Sequence, residues 1–249
     1  MSHAGQQRAS NGTRITTTGG EGRNRLLRAL PPAELELLAP HLEQVEVEVL
    51  QPIADMNDVV QHVWFPDNAI ISLLHRGIDG TPIEIGTVGS EGMAGLTVAF
   101  GVDWTPALIL GEVPGSCRRM DAARFRELLP TLPTLQALLG RYAVYLLGQV
   151  GQSLACNSLH SLEQRCARWI LMTHDRVEGD EFQLTQEVLA QMLAVHRPAV
   201  SVAAGALKRA GFIDYSRGRL VMKDRAGLEQ AACECYGIVS RQRDRLLGE

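Results

Sequence analysis

The chain has 249 residues, 45% of them hydrophobic and 21% charged, with a formal net charge of −4. That length allows one large or two modest domains with real cores, and the composition is that of a soluble globular protein. The acidic balance excludes a chain that coats nucleic acid indiscriminately, so any affinity for DNA must come from a local patch. Residues 1–23 are polar, rich in Gly, Ser, Thr and Asn, without a repeating apolar stripe, and are expected to form a disordered tail. Asn24-Arg25-Leu26-Leu27-Arg28-Ala29-Leu30 and the following Pro31-Pro32-Ala33-Glu34-Leu35-Glu36-Leu37-Leu38 suggest two short helices broken by proline.

From about residue 41 to residue 120 the period becomes that of strands. Val45, Val47 and Val49 alternate with Glu46 and Glu48, and residues 59–65, 69–74, 83–88, 107–110 and 116–120 follow as short apolar runs between Pro, Gly and Asp turns. Many short strands so separated imply an antiparallel barrel or sandwich. Asp121 is placed to cap a short helix over 122–129 that Pro130 stops.

Residues 134–159 hold one charged side chain, Arg141. Leu139, Ala143, Leu146, Val150 and Ser153 follow the alternating four- and three-residue steps of a coiled-coil seam, while Leu135, Leu138, Tyr142 and Tyr145 make a second apolar face. A helix apolar on two sides needs two partners, here its own strand domain and the same helix of a second copy. Gln149 and Gln152, with Gly148 and Gly151, interrupt the run and argue against a membrane span. Asn157-Ser158-Leu159 is expected to be a hinge, followed by a helix with Leu162, Cys166, Trp169 and Ile170 on one face.

Residues 183–222 read as a helix, a tight turn, a second helix and a two-stranded wing. Thr185 suits an N-cap, Val188, Leu189 and Met192 recur at helical spacing, and Leu193-Ala194-Val195 makes the turn. Pro198 sits in the first turn of the second helix, where a missing amide costs little, and Val200, Ala203, Ala204 and Leu207 form its apolar face. Phe212-Ile213-Asp214-Tyr215 and Arg219-Leu220-Val221 alternate around Ser216-Arg217-Gly218. Between His196 and Leu220, Arg197, Lys208, Arg209, Arg217 and Arg219 face a single acid, Asp214. That bias favours DNA over an ordinary helical hairpin with a solvated basic edge: Arg197 and Ser201 lie one turn apart on the exposed face, and an arginine there reaches guanine O6 and N7 in a major groove. Residues 224–236 and 238–247 read as closing helices.

At Leu184-Thr185, Leu189-Ala190, Met192-Leu193, Val195, Arg197, Val200, Leu207, Gly211-Phe212-Ile213 and Tyr215-x-Arg217-Gly218, the chain resembles the Crp/Fnr family of bacterial transcription regulators. The helical lead-in and Phe65-Pro66 before Ile70-Ile71-Ser72 resemble the family's entry to its β-roll. The resemblance implies an α+β fold: an N-terminal antiparallel, jelly-roll-like β-roll, a long dimerisation helix and a C-terminal winged helix-turn-helix. The expected boundaries are a tail over 1–23, a β-roll sensor with lead-in over 24–130, the dimerisation helix over 131–158 and the DNA-binding domain over 159–249. Arg197 and Ser201 would read bases, with apolar contact from Pro198 or Val202 to a thymine methyl, while Thr185, Gln186, His196 and Arg217 would hold phosphates and Gly218 would lie beside them at the wing tip. Pro198 stands where many members carry glutamate and Val202 where some carry a second arginine, so the operator should differ from the family's best-known sites.

Gly89-Ser90-Glu91-Gly92-Met93-Ala94-Gly95-Leu96 resembles the family's cyclic-nucleotide segment, making Gly89, Glu91, Gly92 and Gly95 a candidate effector pocket. No Lys or Arg occurs between Gly77 and Cys117 to neutralise a cyclic phosphate, and an unpaired phosphate charge there is costly, which argues against cyclic AMP. The implied partners are duplex DNA at a near-palindromic site, a second copy of the chain, RNA polymerase and an unknown small-molecule effector. The rival reading is a sensor or scaffold whose winged helix contacts another protein.

Five cysteines without framework spacing are expected to be free thiols in a reducing cytoplasm, and no charged-then-apolar leader opens the chain. No metal or cofactor is expected: Cys156, His160 and Cys166 lack a CxxC pair, and Cys233-Glu234-Cys235 reads as incidental thiols on a terminal helix. No nucleophile–base pairing, HExxH or P-loop appears, so no catalytic residue is assigned.

Overall fold

A computed structural model describes residues 22–77 and 80–248. The expected tail lies outside the described residues except for its last two positions, and there the chain is docked: the Arg23 amide donates to Asp67 Oδ1 at 2.6 Å. Asn24 then caps α1 (Arg25–Arg28), its Oδ1 accepting from the Leu26 and Leu27 amides at 3.1 and 3.3 Å. Its Nδ2 donates to the carbonyls of Pro66 and Gly92 at 3.0 and 2.8 Å, so one buried side chain ties the lead-in to the strand domain. α2 (Pro32–Leu38) starts on the expected proline, and its Glu34 accepts from the Thr134 and Leu135 amides, capping a later helix whose own N-cap, Leu132, offers no side-chain bond.

The strand domain is two antiparallel sheets. One holds β1 (Glu43–Val47), β7 (Gly115–Asp121) and β3 (His62–Pro66), in the order β1-β7-β3. The other holds β2 (Pro52–Ala54), β6 (Leu108–Val113), β4 (Ile70–Arg76) and β5 (Pro82–Val88), in the order β2-β6-β4-β5. In β1 the alternation works as expected, with Val45 and Val47 buried and Glu46 exposed. β6 behaves differently, being buried at all six positions. Ile109 joins the core inside the roll, whereas Leu108 and Leu110 join the core of the C-terminal half. A strand covered on both faces reads as a continuous apolar run, which is why residues 107–110 do not alternate.

After α3 (Ala122–Leu128), capped by Asp121 as expected, α4 (Pro133–Leu159) spans 27 residues, about 40 Å at the helical rise. Leu135, Leu138, Tyr142 and Tyr145 pack into the roll as the second-face reading requires. The seam is corrected: Leu139 is buried, Ala143, Leu146, Val150 and Ser153 are half-buried, and Leu146 and Val150 lie over Gly86 of β5. The exposed apolar stripe is Val144, Leu147 and Leu154, at 58%, 73% and 72% exposure, with open space over Gly140 and Gly151. Heptad spacing alone does not say which of two apolar stripes the molecule's own sheet will claim. The hinge also moves: Asn157, Ser158 and Leu159 are the last turn of α4, and the break falls at His160-Ser161. There Ser161 and Gln164 form a reciprocal capping box that starts α5 (Leu162–His174). Among the described residues no helix is long and apolar enough to cross a membrane.

α5 is buried along its whole second half, residues 166–173, because it lies between the outer face of the β4–β6 sheet and the elements that follow. The closing helices are α8 (Arg225–Ala231) and α9 (Cys235–Leu247); α9 folds back along α4.

Replacing Asn24 by alanine removes four hydrogen bonds and strands two buried carbonyls. We expect Asn24→Ala to lower unfolding free energy by about 1–3 kcal/mol in urea titration. Unchanged stability would show that the lead-in does not anchor the roll.

Candidate nucleic-acid interface

The two helices of the helix-turn-helix are α6 (Gln186–Met192) and α7 (Arg197–Arg209). The Thr185 hydroxyl accepts from the Val188 amide at 3.1 Å, the expected cap. In the turn, Ala194 takes a φ of +52°, the left-handed conformation that reverses the chain within three residues. Val188, Leu189 and Met192 of α6 and Val200, Ala203, Ala204 and Leu207 of α7 are buried, so the opposite face of α7 points outward. On it stand His196, Arg197, Pro198, Ser201, Val202, Lys208 and Arg209, all exposed. Ser201 Oγ lies 2.7 Å from Gln186 Oε1 and 3.2 Å from the Arg197 carbonyl, which fixes its rotamer beside Arg197.

The wing is three-stranded, not two-stranded. β9 (Ile213–Ser216) and β10 (Arg219–Met222) form the expected hairpin, with Arg217 and Gly218 both at positive φ (50° and 76°), as a tight two-residue turn demands. β8 (Glu181–Gln183) pairs with the other edge of β10. The Leu184 amide donates to the Gly218 carbonyl at 2.8 Å, bringing the wing tip against Thr185 at the start of α6. The expected residues Thr185, Gln186, His196, Arg197, Pro198, Ser201, Arg217 and Gly218 therefore lie on the outer side of one unit.

The charge tally needs correction. Lys208 pairs with Asp214 at 2.7 Å, and Arg219 pairs with Glu181 at 2.9 Å, an acid from the strand that the sequence did not reveal. Arg197, Arg209 and Arg217 carry no ion pair among the described residues.

Gly89, Glu91, Gly92 and Gly95 do not line an open pocket. Glu91 makes a bidentate ion pair with Arg176, just beyond α5, at 2.7–3.2 Å; both side chains are at least 96% buried, with exposures of 3% and 4%. Burial pushes the Glu91 carboxyl up, but the guanidinium more than offsets this and holds it below the usual carboxylate range. A Cβ on Gly92 would stand 2.2 Å from the Tyr142 ring, so that ring fills the remaining space. The cation missing between residues 77 and 117 is thus supplied from the C-terminal half, a contact with no sequence signature.

Beside this pair, Ser72, Glu84 and Glu112 meet on the outer face of the sheet. Ser72 Oγ lies 2.9 Å from Glu84 Oε2 and 2.7 Å from Glu112 Oε2. One hydroxyl proton cannot serve both, so the acid pair itself retains a proton. Trp169 Nε1 donates to Glu84 Oε1 at 3.2 Å, and Met192 Sδ of α6 approaches Ser72 at 3.3 Å. Burial and the neighbouring Glu112 raise the Glu84 carboxyl well above its ordinary value, and burial pushes Glu112 up to about 7. The gap beside Glu112 is about 10 Å³, room for one water. A larger cleft of about 300 Å³ opens between Asn68, Val113 and Pro114 of the roll and Val177, Glu178 and Phe182.

Four residues that the sequence left as unrelated thiols and a surface histidine come together in the structure. Cys156, His160, Cys233 and Cys235 place their ligand atoms within 4.8 Å of one another. Cys166, grouped with Cys156 and His160 in the sequence, lies elsewhere in the core of the C-terminal half.

The chain thus joins a β-roll, a long helix with an exposed apolar stripe and a winged helix-turn-helix. Residues 164–231 match the Crp-like helix-turn-helix domain. The structure is similar to FixK2 from Bradyrhizobium japonicum (TM-score 0.66, 12% identity, 77% of this chain and 98% of that one). It is similar to a Crp/Fnr-family regulator from Eubacterium rectale (0.62, 17%, 83% and 96%) and to the c-di-GMP responsive regulator CLP from Xanthomonas campestris (0.60, 13%, 78% and 99%). No curated protein matches in sequence. The resemblance read from the sequence holds: the chain carries a Crp-like helix-turn-helix domain within the fold of the Crp/Fnr regulators.

The acid pair sets a pH dependence. A carboxyl whose native value is raised binds its proton more tightly folded than unfolded, so its contribution is complete below its ordinary value of 4.5 and is lost as pH rises through about 7. The groups facing Glu112 are Ser72, Glu84, Glu91 and Arg176, and Glu112→Gln leaves all four in place. Glu112→Gln should flatten the fall in melting temperature between about pH 5 and pH 8, whereas an identical slope would remove Glu112 from the linkage.

Proposed function

We propose that the protein is a homodimeric, sequence-specific DNA-binding transcription regulator. The observation that carries this is the outward face of α7, where Arg197, Pro198 and Ser201 stand exposed at the helix N-terminus with Arg217 on the adjoining wing tip. In this reading Arg197 and Ser201 meet base edges in the major groove, Pro198 or Val202 meets a thymine methyl, and Thr185, Gln186, His196 and Arg217 hold the backbone. The exposed stripe of Val144, Leu147 and Leu154 would pack on its two-fold mate, setting two recognition helices about 34 Å apart on a near-palindromic site. RNA polymerase is the partner through which such a protein would act.

The effector is read as something other than cyclic AMP. Glu91 is already neutralised by Arg176 and the Gly92 surface is covered by Tyr142, so a cyclic phosphate would have to displace a buried ion pair without finding a free cation. A signal that opened the contact between the roll and α5 would shift the population of DNA-binding orientations.

Selection from random duplex DNA, with and without cyclic AMP, should return one near-palindromic motif in both conditions. Arg197→Ala should lose that preference while keeping general affinity, and Arg217→Ala should weaken all duplexes alike and lower the salt slope by about one. Weak, salt-insensitive binding with no motif would favour a protein partner for the winged helix instead. Independently, Leu147→Glu should give a monomer by sedimentation; an unchanged dimer would place the interface off the α4 stripe.

A further inference from the structure

The four side chains Cys156, His160, Cys233 and Cys235 come from two distant segments. Cys156 occupies the last turn of α4 and His160 follows one turn later, so both project from the same side. Cys233 and Cys235 flank the bend between α8 and α9. The spacing C-x3-H with C-x-C, 77 residues apart between Cys156 and Cys233, matches no CxxC pattern, and so the cluster was invisible in the sequence.

We propose that these residues form a Cys3His site for a single thiophilic divalent ion of the zinc type. Cys156 Sγ and Cys233 Sγ are 3.5 Å apart, Cys235 Sγ and His160 Nδ1 are 3.5 Å apart, and all four ligand atoms lie within 4.8 Å. A tetrahedral zinc with Zn–S near 2.3 Å has ligand–ligand edges of about 3.8 Å, so the four atoms need only small shifts to surround one ion. The second shell points the same way. His160 Nε2 lies 3.2 Å from the Glu234 carboxylate; in the tautomer whose Nε2–H donates to that carboxylate, the Nδ1 lone pair faces Cys235 and is free to ligate. Gln152 Nε2 donates to Cys235 Sγ at 3.0 Å, the kind of bond that supports a metal-bound thiolate.

Packing alone does not account for the cluster. Free cysteines normally share a core with aliphatic side chains, as Cys117 and Cys166 do here, whereas Cys156, Cys233 and Cys235 form a separate buried cluster consisting of themselves. Loading the site would bind the start of α9 to the end of α4, next to the break at His160-Ser161 from which the helix-turn-helix half departs. The ion thereby holds the junction between the two halves, a role that stands whether the reader face meets DNA or protein.

The test uses the full chain, reduced and stripped with a chelator. One equivalent of cobalt(II) should give thiolate charge-transfer and tetrahedral ligand-field absorption, zinc should displace it, and elemental analysis should find one zinc per chain. Cys233→Ala with Cys235→Ala should abolish this, while Cys117→Ala should leave it intact. Glu234 is exposed, so Glu234→Gln preserves the fold and should weaken zinc by about 10- to 100-fold. Reduced, folded protein that takes up no cobalt, or an undiminished spectrum in the double variant, would overturn the proposal. So would a Cys156–Cys233 disulfide as the only chemistry the cluster shows.

Discussion

The structure depends on one sheet buried on both sides. Ile71 and Ile109 face the interior of the roll, while Leu74, Leu108 and Leu110 of the same strands belong to the core of the C-terminal half. The two functional halves are therefore not beads on a helix: the outer face of the β4–β6 sheet is part of the floor on which α5 and α6 rest. Each buried aliphatic side chain on that face contributes about 1.5–3 kcal/mol, so detaching the halves completely is costly while sliding or rotating them is less so.

Within that apolar contact sit buried polar groups: the Glu91–Arg176 pair and the Ser72–Glu84–Glu112 cluster. A buried ion pair such as Glu91–Arg176 returns little net energy over an apolar substitute, yet separating the partners leaves an uncompensated charge at a cost of about 3–5 kcal/mol. The docked arrangement is thus a discrete well: a small rotation of α5 breaks the bidentate pair before it relieves anything else. The Ser72–Glu84–Glu112 cluster sharpens the same well, since its retained proton and its bond from Trp169 require the sheet and α5 to be in register. For the proposed regulator, a signal that separated the halves would have to compete with these few polar groups.

What the sequence made legible follows from how local each feature is. The α6–α7 unit, the Thr185 and Asp121 caps and the tight turn at Arg217-Gly218 are written in residues a few positions apart, and the structure realises them where expected. The features it concealed pair residues far apart in the chain. Glu91 meets Arg176 across 85 positions, β8 joins the wing from outside the recognisable hairpin, and Arg219 is neutralised by an acid on that added strand. The α4 seam shows the same limit in another form. Both Val150 and Leu154 are apolar at helical spacing, and only the position of β5 decides that Val150 is covered and Leu154 is not.

The end of α4 is where these constraints converge. Its exposed stripe runs through Leu147 and Leu154 toward the break at His160-Ser161, and α9 returns along the same helix to place Cys233 and Cys235 against Cys156. The helix is held at its start by Glu34 and along its length by Tyr142, Tyr145 and Gln149. If two such helices face each other across a dimer, a change of angle between them moves each α5 directly, because the capping box leaves only two residues of slack at the break. In the proposed regulator, whatever fastens α9 to α4 at that point would set how a displacement of α4 reaches α5. The placement of polar, chelating side chains there, rather than further leucines, is intelligible as a junction whose stiffness can be set chemically.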